Sequence, residues 1–204
     1  FEGGYIPKVI ITSPDKRSGR GMHLTETPVS TWAKINNIPC LKPEKIDQEF
    51  MREFRNLNID LSIVVAYGKI LPEELIKIPT LGTINIHYSL LPHYRGASPL
   101  EQALLNGDTV TGVTIQQMAF KLDTGGIITQ EKVAIDINDT KELLRSKLIK
   151  LGGETLVKIL PDIITHNKID STPQNESMAS YCKKHKKEDG EIDPNGDPIE
   201  NYNK

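Results

Sequence analysis

The chain has 204 residues, of which 37% are hydrophobic and 25% are charged, and its formal net charge at pH 7 is −2. This composition is typical of a soluble globular protein with one domain, or with one domain and an extension. The charge excludes a global basic field for nucleic acid, so any such contact requires a local basic patch.

The cysteine usage and the apolar runs indicate the compartment. Cys40 and Cys182 lie far apart and fit no metal-ligand or redox spacing. We therefore expect two inert thiols in a reducing cytoplasm, and no bound metal. The apolar runs are too short to span a bilayer and no signal peptide opens the chain, so no membrane partner is expected. The opening at Phe1 suggests a missing upstream segment.

The first third of the chain predicts alternating strands and helices. A β-branched strand over 7–12 leads into a polar loop over 13–26, and a helix follows from an N-cap at Thr27. Apolar residues on one helical face predict an amphipathic helix within 44–58. The nearly uninterrupted apolar run over 60–68 is typical of a parallel strand that is buried on both faces.

The middle of the chain continues this alternation. A strand is predicted over 83–90, and Ser98 with Glu101 predicts a capping box at the start of the next helix. The stretches 112–120 and 127–135 predict a final pair of strands. A long helix over 140–165 and a polar segment from Asn167 onwards complete the pattern. The sequence therefore predicts an α/β fold: a mainly parallel twisted sheet with helices on both faces and an antiparallel last strand pair.

Polar side chains on the strand 83–90 form the candidate site. Strand alternation places Asn85, His87 and Ser89 on one face, near the carboxyl end where open α/β sheets bind ligands. A neutral imidazole can accept a proton from an attacking amine, and an amide N–H can stabilise an oxyanion. Asp123 is the best candidate to orient the imidazole. The combination predicts acyl transfer to nitrogen without a Ser or Cys nucleophile.

Each of these residues also has a purely structural interpretation. His87 alone is more often a hydrogen-bonded core residue, Asp123 a turn former before Gly125, and Asn85 a strand cap. Only their combination favours a site. The basic residues of the loop at 13–26 are either a solvated surface or a clamp for a polyanion. They are Lys16, Arg17 and Arg20.

Two motifs, INIHYSLLPHYRGASP over 84–99 and GVTIQQMAFKLDTGGII over 112–128, resemble the signature of the folate-dependent formyltransferases. These enzymes move a formyl group from 10-formyltetrahydrofolate to an amine. The stretches TSPDKRSGRGMHLTETPVSTWA and VVAYGKILP are most similar to the branch that acts on methionyl initiator tRNA. The resemblance implies a Rossmann-like formyltransferase domain over 1–166, and a linker over 167–204 towards a C-terminal β-barrel domain.

The resemblance also implies a role for individual residues. The catalytic Asn, His and Asp of the family fall on Asn85, His87 and Asp123. The folate site is expected to consist of Ser89, Leu90, Leu91, Pro92, Val65, Ala66, Tyr67 and Gly68. The loop with Lys16, Arg17 and Arg20 corresponds to the loop that enters the acceptor arm of the tRNA.

The chain departs from the family in two features, and two alternative functions remain open. The family has a first strand, central in the sheet, that this chain lacks, so we expect unpaired strand edges and poor folding of the chain alone. Without the barrel, tRNA binding is expected to be weak. The alternatives are a formyltransferase that acts on a sugar-nucleotide amine and a non-catalytic module that binds folate or RNA. A cytoplasmic monomer is expected.

Overall fold

The computed structural model describes residues 3–18 and 22–204. Its strands are β1 (Ile10–Ile11), β2 (Lys16–Ser18), β3 (His23–Thr25), β4 (Cys40–Leu41), β5 (Ser62–Val65), β6 (Thr83–His87), β7 (Arg95–Gly96), β8 (Val110–Gln117), β9 (Ile127–Ala134) and β10 (Tyr181–Cys182). Its α-helices are α1 (Pro28–Ile35), α2 (Gln48–Asn56), α3 (Glu73–Lys77), α4 (Pro99–Leu105), α5 (Lys141–His166) and α6 (Pro198–Asn203).

The largest sheet has the strand order β5-β6-β8-β9, with β5 parallel to β6 and the last two pairs antiparallel. Two more parallel pairs, β1 with β4 and β7 with β10, lie outside it. The predicted α/β class and the antiparallel final pair β8–β9 are confirmed. The long helix predicted over 140–165 is also confirmed, as α5.

The main core lies between α5 and the middle of the large sheet. Its fully or nearly buried members include Ile84, Ile86, Val113, Ile115, Leu144 and Leu148. Each side chain of this size contributes about 1.5–3 kcal/mol by leaving water. A second cluster joins Phe50 and Phe54, on the apolar face predicted for α2, to Leu75 of α3. The core thus fixes β6 at the centre of the fold.

A cleft of about 830 Å³ is lined by both β1 and β5. Within the described part of the chain, β1 pairs only with β4, and β5 pairs only with β6. Each strand therefore has one unpaired edge. Ile63 and Val65 of β5 are 40% and 45% exposed, so the prediction that this strand is buried on both faces was wrong. Both side chains line the open cleft beside β1.

Two local predictions about element ends were wrong. The strand predicted to reach Leu90 ends at His87, because the chain turns where the Ser89 hydroxyl donates to the carbonyl of His93 at 2.6 Å. The predicted capping box is absent. Ser98 precedes α4, but with φ −137° and ψ 54° its side chain makes no capping hydrogen bond.

The prediction of a polar loop over 13–26 was also wrong in part. Its described residues contain a hairpin in which Lys16 pairs with Thr25 and Arg17 with Leu24. Ladder pairing satisfies peptide groups that an open loop would leave to water. The polar segment after Asn167 carries β10, which pairs with β7 next to the candidate site.

Candidate active site

Asn85 and His87 lie on β6 on the face opposite the core. The alternate residues Ile84 and Ile86 are 0% and 6% exposed and lie in the core. Strand alternation therefore places Asn85 and His87 on the opposite face of β6. His87 is buried, and Asn85 is half-buried. The side-chain amide of Asn85 has no hydrogen-bond partner within residues 3–18 and 22–204, which leaves it available to a bound molecule.

Among the described residues, the imidazole of His87 has a hydrogen-bond partner at one ring nitrogen only. Its Nε2 lies 2.9 Å from the carbonyl oxygen of Tyr94. Because a carbonyl can only accept, Nε2 must carry the hydrogen, and Nδ1 of the neutral ring has a free lone pair. Nδ1 lies 3.7 Å from Oδ1 of Asp123. A proton that arrives at Nδ1 would therefore face a carboxylate.

Tyr94 is held by three contacts, which fixes its carbonyl. Its hydroxyl donates to Oδ2 of Asp108 at 2.7 Å and accepts from Asn106 at 2.8 Å. Its amide donates to the hydroxyl of Ser180 at 2.9 Å. Burial, reinforced by the hydrogen bond to Asp108, raises the pKa of the Tyr94 hydroxyl. The end of α4 and the segment before β10 therefore set the position of the acceptor for His87.

Asp123 is held through both carboxylate oxygens. Oδ1 accepts from Nε2 of Gln116 at 2.9 Å, and Oδ2 accepts from the amide of Gly96 at 2.8 Å. Gly96 has φ +124°, and a Cβ atom there would overlap the carbonyl of Cys182, so this close approach requires glycine. Asp123 itself adopts the left-handed conformation, with φ +50°. The structure thus brings Asp123 and His87 together.

The Ser-Leu-Leu-Pro segment forms a turn next to this site. The buried hydroxyl of Thr114 donates to the carbonyl of Ser89 at 2.6 Å and accepts from the amide of Leu91 at 3.0 Å. Gln130 donates to the carbonyl of Leu91 at 2.9 Å. The peptide between Leu91 and Pro92 is cis. Leu90 packs so closely on Gly112 that a Cβ atom there would overlap it.

The other predicted folate residues follow β5. Ala66 and Gly68 are exposed, with φ +46° and +74°. Between them, the Tyr67 hydroxyl is buried with no hydrogen-bond partner among the residues described, and burial raises its pKa. Val65 and Tyr67 line the cleft between β1 and β5, whereas the catalytic candidates and the segment 89–92 do not. Of the eight predicted folate residues, Val65 and Tyr67 are therefore the two that line this cleft.

The basic loop is described only in part. Lys16 and Arg17 are exposed on β2, and Arg20 lies outside the described residues.

Four residues of the site escaped the sequence analysis. Tyr94 and Gly96 lie inside a quoted motif but had been assigned no role. Gln116 is a polar residue on an apolar strand, a signal that could have identified it. Gln174 donates to the carbonyl of Asp123 at 2.9 Å. It lies in a polar segment, and the sequence gives no signal for this contact.

Two further observations concern membrane-spanning helices and groups that could hold a metal ion. Over the described ranges, no helix is long and apolar enough to cross a membrane, and no group of three or more His, Cys, Asp or Glu is placed to hold a metal ion. Cys40 and Cys182 are free, and burial raises the pKa of both thiols. A raised pKa lowers the thiolate fraction and with it the reactivity.

The chain matches the family model for formyl transferases over residues 7–160. It is 45% identical over 186 residues to the methionyl-tRNA formyltransferase of Sulfurihydrogenibium sp. (strain YO3AOP1), an alignment that covers 90% of this chain and 60% of that protein. The chain thus spans about three fifths of the length of the curated relatives it matches.

Solved structures share the fold. A 4-N formyltransferase from Francisella tularensis has a TM-score of 0.67 and 27% identity, covering 86% of this chain and 70% of that chain. The formyltransferase PseJ from Anoxybacillus kamchatkensis, in complex with UDP-4,6-dideoxy-4-formamido-L-AltNAc and tetrahydrofolate, has a TM-score of 0.62 and 24% identity, covering 87% of this chain and 86% of that chain. These likenesses agree with the Rossmann-like α/β fold.

Proposed function

The chain belongs to the formyl transferase family, and from this premise we propose that it transfers a formyl group from 10-formyltetrahydrofolate to the α-amine of methionyl initiator tRNA. The observation that carries the proposal is the arrangement of three side chains. Nδ1 of His87 lies 3.7 Å from the fixed Asp123 carboxylate, and the Asn85 amide, two residues away on β6, has no hydrogen-bond partner among the described residues. This arrangement supports the transfer of an acyl group to an amine.

The reaction begins when the amine nitrogen attacks the formyl carbon and the carbonyl electrons move to oxygen. The Asn85 amide donates to that oxyanion. Nδ1 of His87 accepts a proton from the attacking nitrogen, and the Asp123 carboxylate stabilises the imidazolium that results. The C–N bond to the folate nitrogen then breaks, and that nitrogen takes the proton from the His87 imidazolium as the neutral amine leaves, which restores the neutral ring. The formyl group ends on the methionyl amine.

The folate site proposed here consists of the turn 89–92 and the turn 65–68. The turn at 65–68 is exposed at Ala66 and Gly68 and departs from strand geometry, so a ligand can reach its peptide groups. The buried hydroxyl of Tyr67, which has no hydrogen-bond partner among the described residues, can donate to a polar group of the ligand that enters the cleft it lines. The chain therefore has polar groups that fit a folate cosubstrate.

The proposed acceptor is tRNA, with Lys16, Arg17 and Arg20 as its contact loop. The relative from Sulfurihydrogenibium, at 45% identity, supports this choice over the sugar acceptors of the more distant solved structures. The exposed Lys16 and Arg17 on the hairpin provide the local basic patch that a phosphate backbone requires. We further propose a cytoplasmic monomer with a catalytic domain over 1–166. The segment 167–204, expected from the sequence to be a linker, contributes β10 and Gln174 to that domain.

The test is formyl transfer from 10-formyltetrahydrofolate to methionyl initiator tRNA. The chain is completed with the segments of the Sulfurihydrogenibium relative that it does not cover, and His87→Ala is compared with His166→Ala, an exposed control. We expect transfer that His87→Ala abolishes and His166→Ala preserves. Transfer only to an amino-sugar nucleotide would overturn the acceptor, and the absence of transfer by the folded protein to either acceptor would overturn the proposed activity.

A further inference from the structure

Gln174 joins the polar segment after α5 to the turn that carries Asp123. Its Nε2 donates to the carbonyl of Asp123 at 2.9 Å and to the carbonyl of Gly125 at 2.7 Å. The side chain is 9% exposed. A buried amide that binds two carbonyls of one turn restrains that turn far more tightly than a solvated side chain can.

Arg95 holds the other end of the same amide. Its Nε and Nη2 donate to Oε1 of Gln174 at 3.1 Å and 2.8 Å. The guanidinium is completely buried, and it also forms a two-point ion pair with Glu176 at 2.7 Å and 2.9 Å. The hydroxyl of Tyr181 accepts from Nη1 at 3.1 Å. Arg95 is thus fixed by the segment 174–181 and fixes Gln174 in return.

The turn at Asp123 needs such a restraint. The residue has φ +50°, a conformation that costs free energy for a residue with a side chain. Gly125 approaches the carbonyl of Gln117 so closely that a Cβ atom would overlap it. A turn with these features keeps its shape only where surrounding contacts determine it. Two hydrogen bonds from Gln174 act on the backbone, and a third, longer one reaches Oε1 of Gln116 at 3.4 Å. They complement the hydrogen bonds that Gln116 and Gly96 make to the carboxylate.

We propose that Gln174 is a positioning residue, which holds the 123–125 turn so that the Asp123 carboxylate faces Nδ1 of His87. This inference deepens the proposed function and rests on it. Gln174 acts through Asp123 and does not touch the reacting atoms. The polar segment after α5 therefore completes the site from outside the strands that carry Asn85 and His87.

Two substitutions distinguish the role of the amide donor of Gln174 from that of its amide acceptor. Gln174→Glu keeps an acceptor for Arg95 but cannot donate to the carbonyls of Asp123 and Gly125. Gln174→Met removes both interactions at similar size. Asn175→Ala is the matched control, because Asn175 is the adjacent exposed residue and caps only the short 3-10 helix Glu176–Met178.

The first readout is amide hydrogen exchange, which needs no substrate. The Gly96 amide donates to Asp123, whereas the next amide, of Ala97, donates to the carbonyl of Cys182. If Gln174 positions Asp123, both Gln174 variants accelerate exchange at Gly96 by ~10-fold or more and leave Ala97 within about twofold, as a lost hydrogen bond of about 1.4 kcal/mol implies. Equal acceleration at both amides would mean that Gln174 only attaches the segment of β10, and would overturn the proposal.

The second readout is steady-state transfer by the completed chain. We expect kcat to fall by about 10- to 100-fold in both Gln174 variants, with the KM for 10-formyltetrahydrofolate within about twofold, because a displaced group costs rate rather than binding. Wild-type kcat in Gln174→Glu, with unchanged exchange at Gly96, would overturn the inference. A wild-type protein without transfer would overturn the proposed function, while the exchange experiment would still decide the role of Gln174.

Discussion

His87 donates through Nε2 to the carbonyl oxygen of Tyr94 at 2.9 Å. The tautomer of the imidazole is therefore set by the backbone and not by the carboxylate. Asp123, 3.7 Å from Nδ1, faces the nitrogen that must gain a proton if the residue acts as a base. The two neighbours of the ring thus have separate roles, because Tyr94 fixes the neutral tautomer and Asp123 stabilises the charged ring.

We predict that neutral His87 carries its hydrogen on Nε2. The ¹⁵N chemical shifts of the ring, measured above pH 8 in protein labelled on histidine, should show a protonated Nε2 and an unprotonated Nδ1. The exposed His166, with Nδ1 2.9 Å from the carbonyl of Asp162, should show the opposite preference and serves as the internal reference. A protonated Nδ1 on His87 would contradict this assignment and with it the proposed base.

Asn85→Ala should lower kcat by about 100-fold or more, because it removes the amide donor proposed for the oxyanion, and such donors are worth about 2.7–4 kcal/mol. Folding should be unaffected, since the amide has no partner to lose among the described residues. Steady-state formyl transfer and urea unfolding measure the two effects. Asn56→Ala, at an exposed position of α2, is the control. A loss of less than about threefold in kcat would remove Asn85 from the mechanism.

The sequence predicted those parts of the fold that depend on short periodic patterns. Strand β6 and helix α5 could be predicted because alternation and the 3.6-residue period are local, and the triad candidates followed from β6 and one turn. The contacts that fix the triad could not be predicted. Gln174 binds the carbonyl of Asp123 across 51 positions, and Ser180 accepts from Tyr94 across 86. Such pairs depend on how β10 returns to β7, which no local pattern encodes.

Thr114→Val should lower the free energy of unfolding by about 1–3 kcal/mol, because it leaves the buried amide of Leu91 and the carbonyl of Ser89 without their partner. The size of the side chain is nearly unchanged, so packing contributes little. Urea unfolding measures the loss. Thr111→Val is the matched control: Thr111 is 3% exposed on the same strand, and its hydroxyl makes no hydrogen bond within the described residues. Equal losses in both variants would show that the hydroxyl of Thr114 does not stabilise the turn.

The edge of β5 that is unpaired among the described residues should make this chain, tested without the segments that complete it, self-associate as its concentration rises, since an exposed apolar strand edge is a template for pairing. The completed protein remains the proposed monomer. Ile63→Lys places a charge on that edge, where Ile63 is 40% exposed, and should keep the chain monomeric at higher concentration in sedimentation velocity. Ile137→Lys changes a residue that is 74% exposed and does not line the cleft, and should have no effect. Identical association of the two variants would place the contact elsewhere.

The ion pair of Glu176 with Arg95 should make stability depend on pH in the acid range. The hydrogen bond from Arg95 holds the pKa of Glu176 below its ordinary value of 4.5. A carboxyl group whose pKa is lower in the folded state stabilises that state above its unfolded pKa, and this stabilisation is lost as the pH falls through the folded value. The difference in unfolding free energy between the wild type and Glu176→Gln should therefore be present at pH 6 and shrink towards pH 3. Glu53→Gln, on the exposed face of α2, is the control for the loss of a surface carboxylate that has no ion pair with a buried arginine within the described residues. A difference that stays constant from pH 6 to pH 3 would mean that the charge of Glu176 does not contribute to holding Arg95.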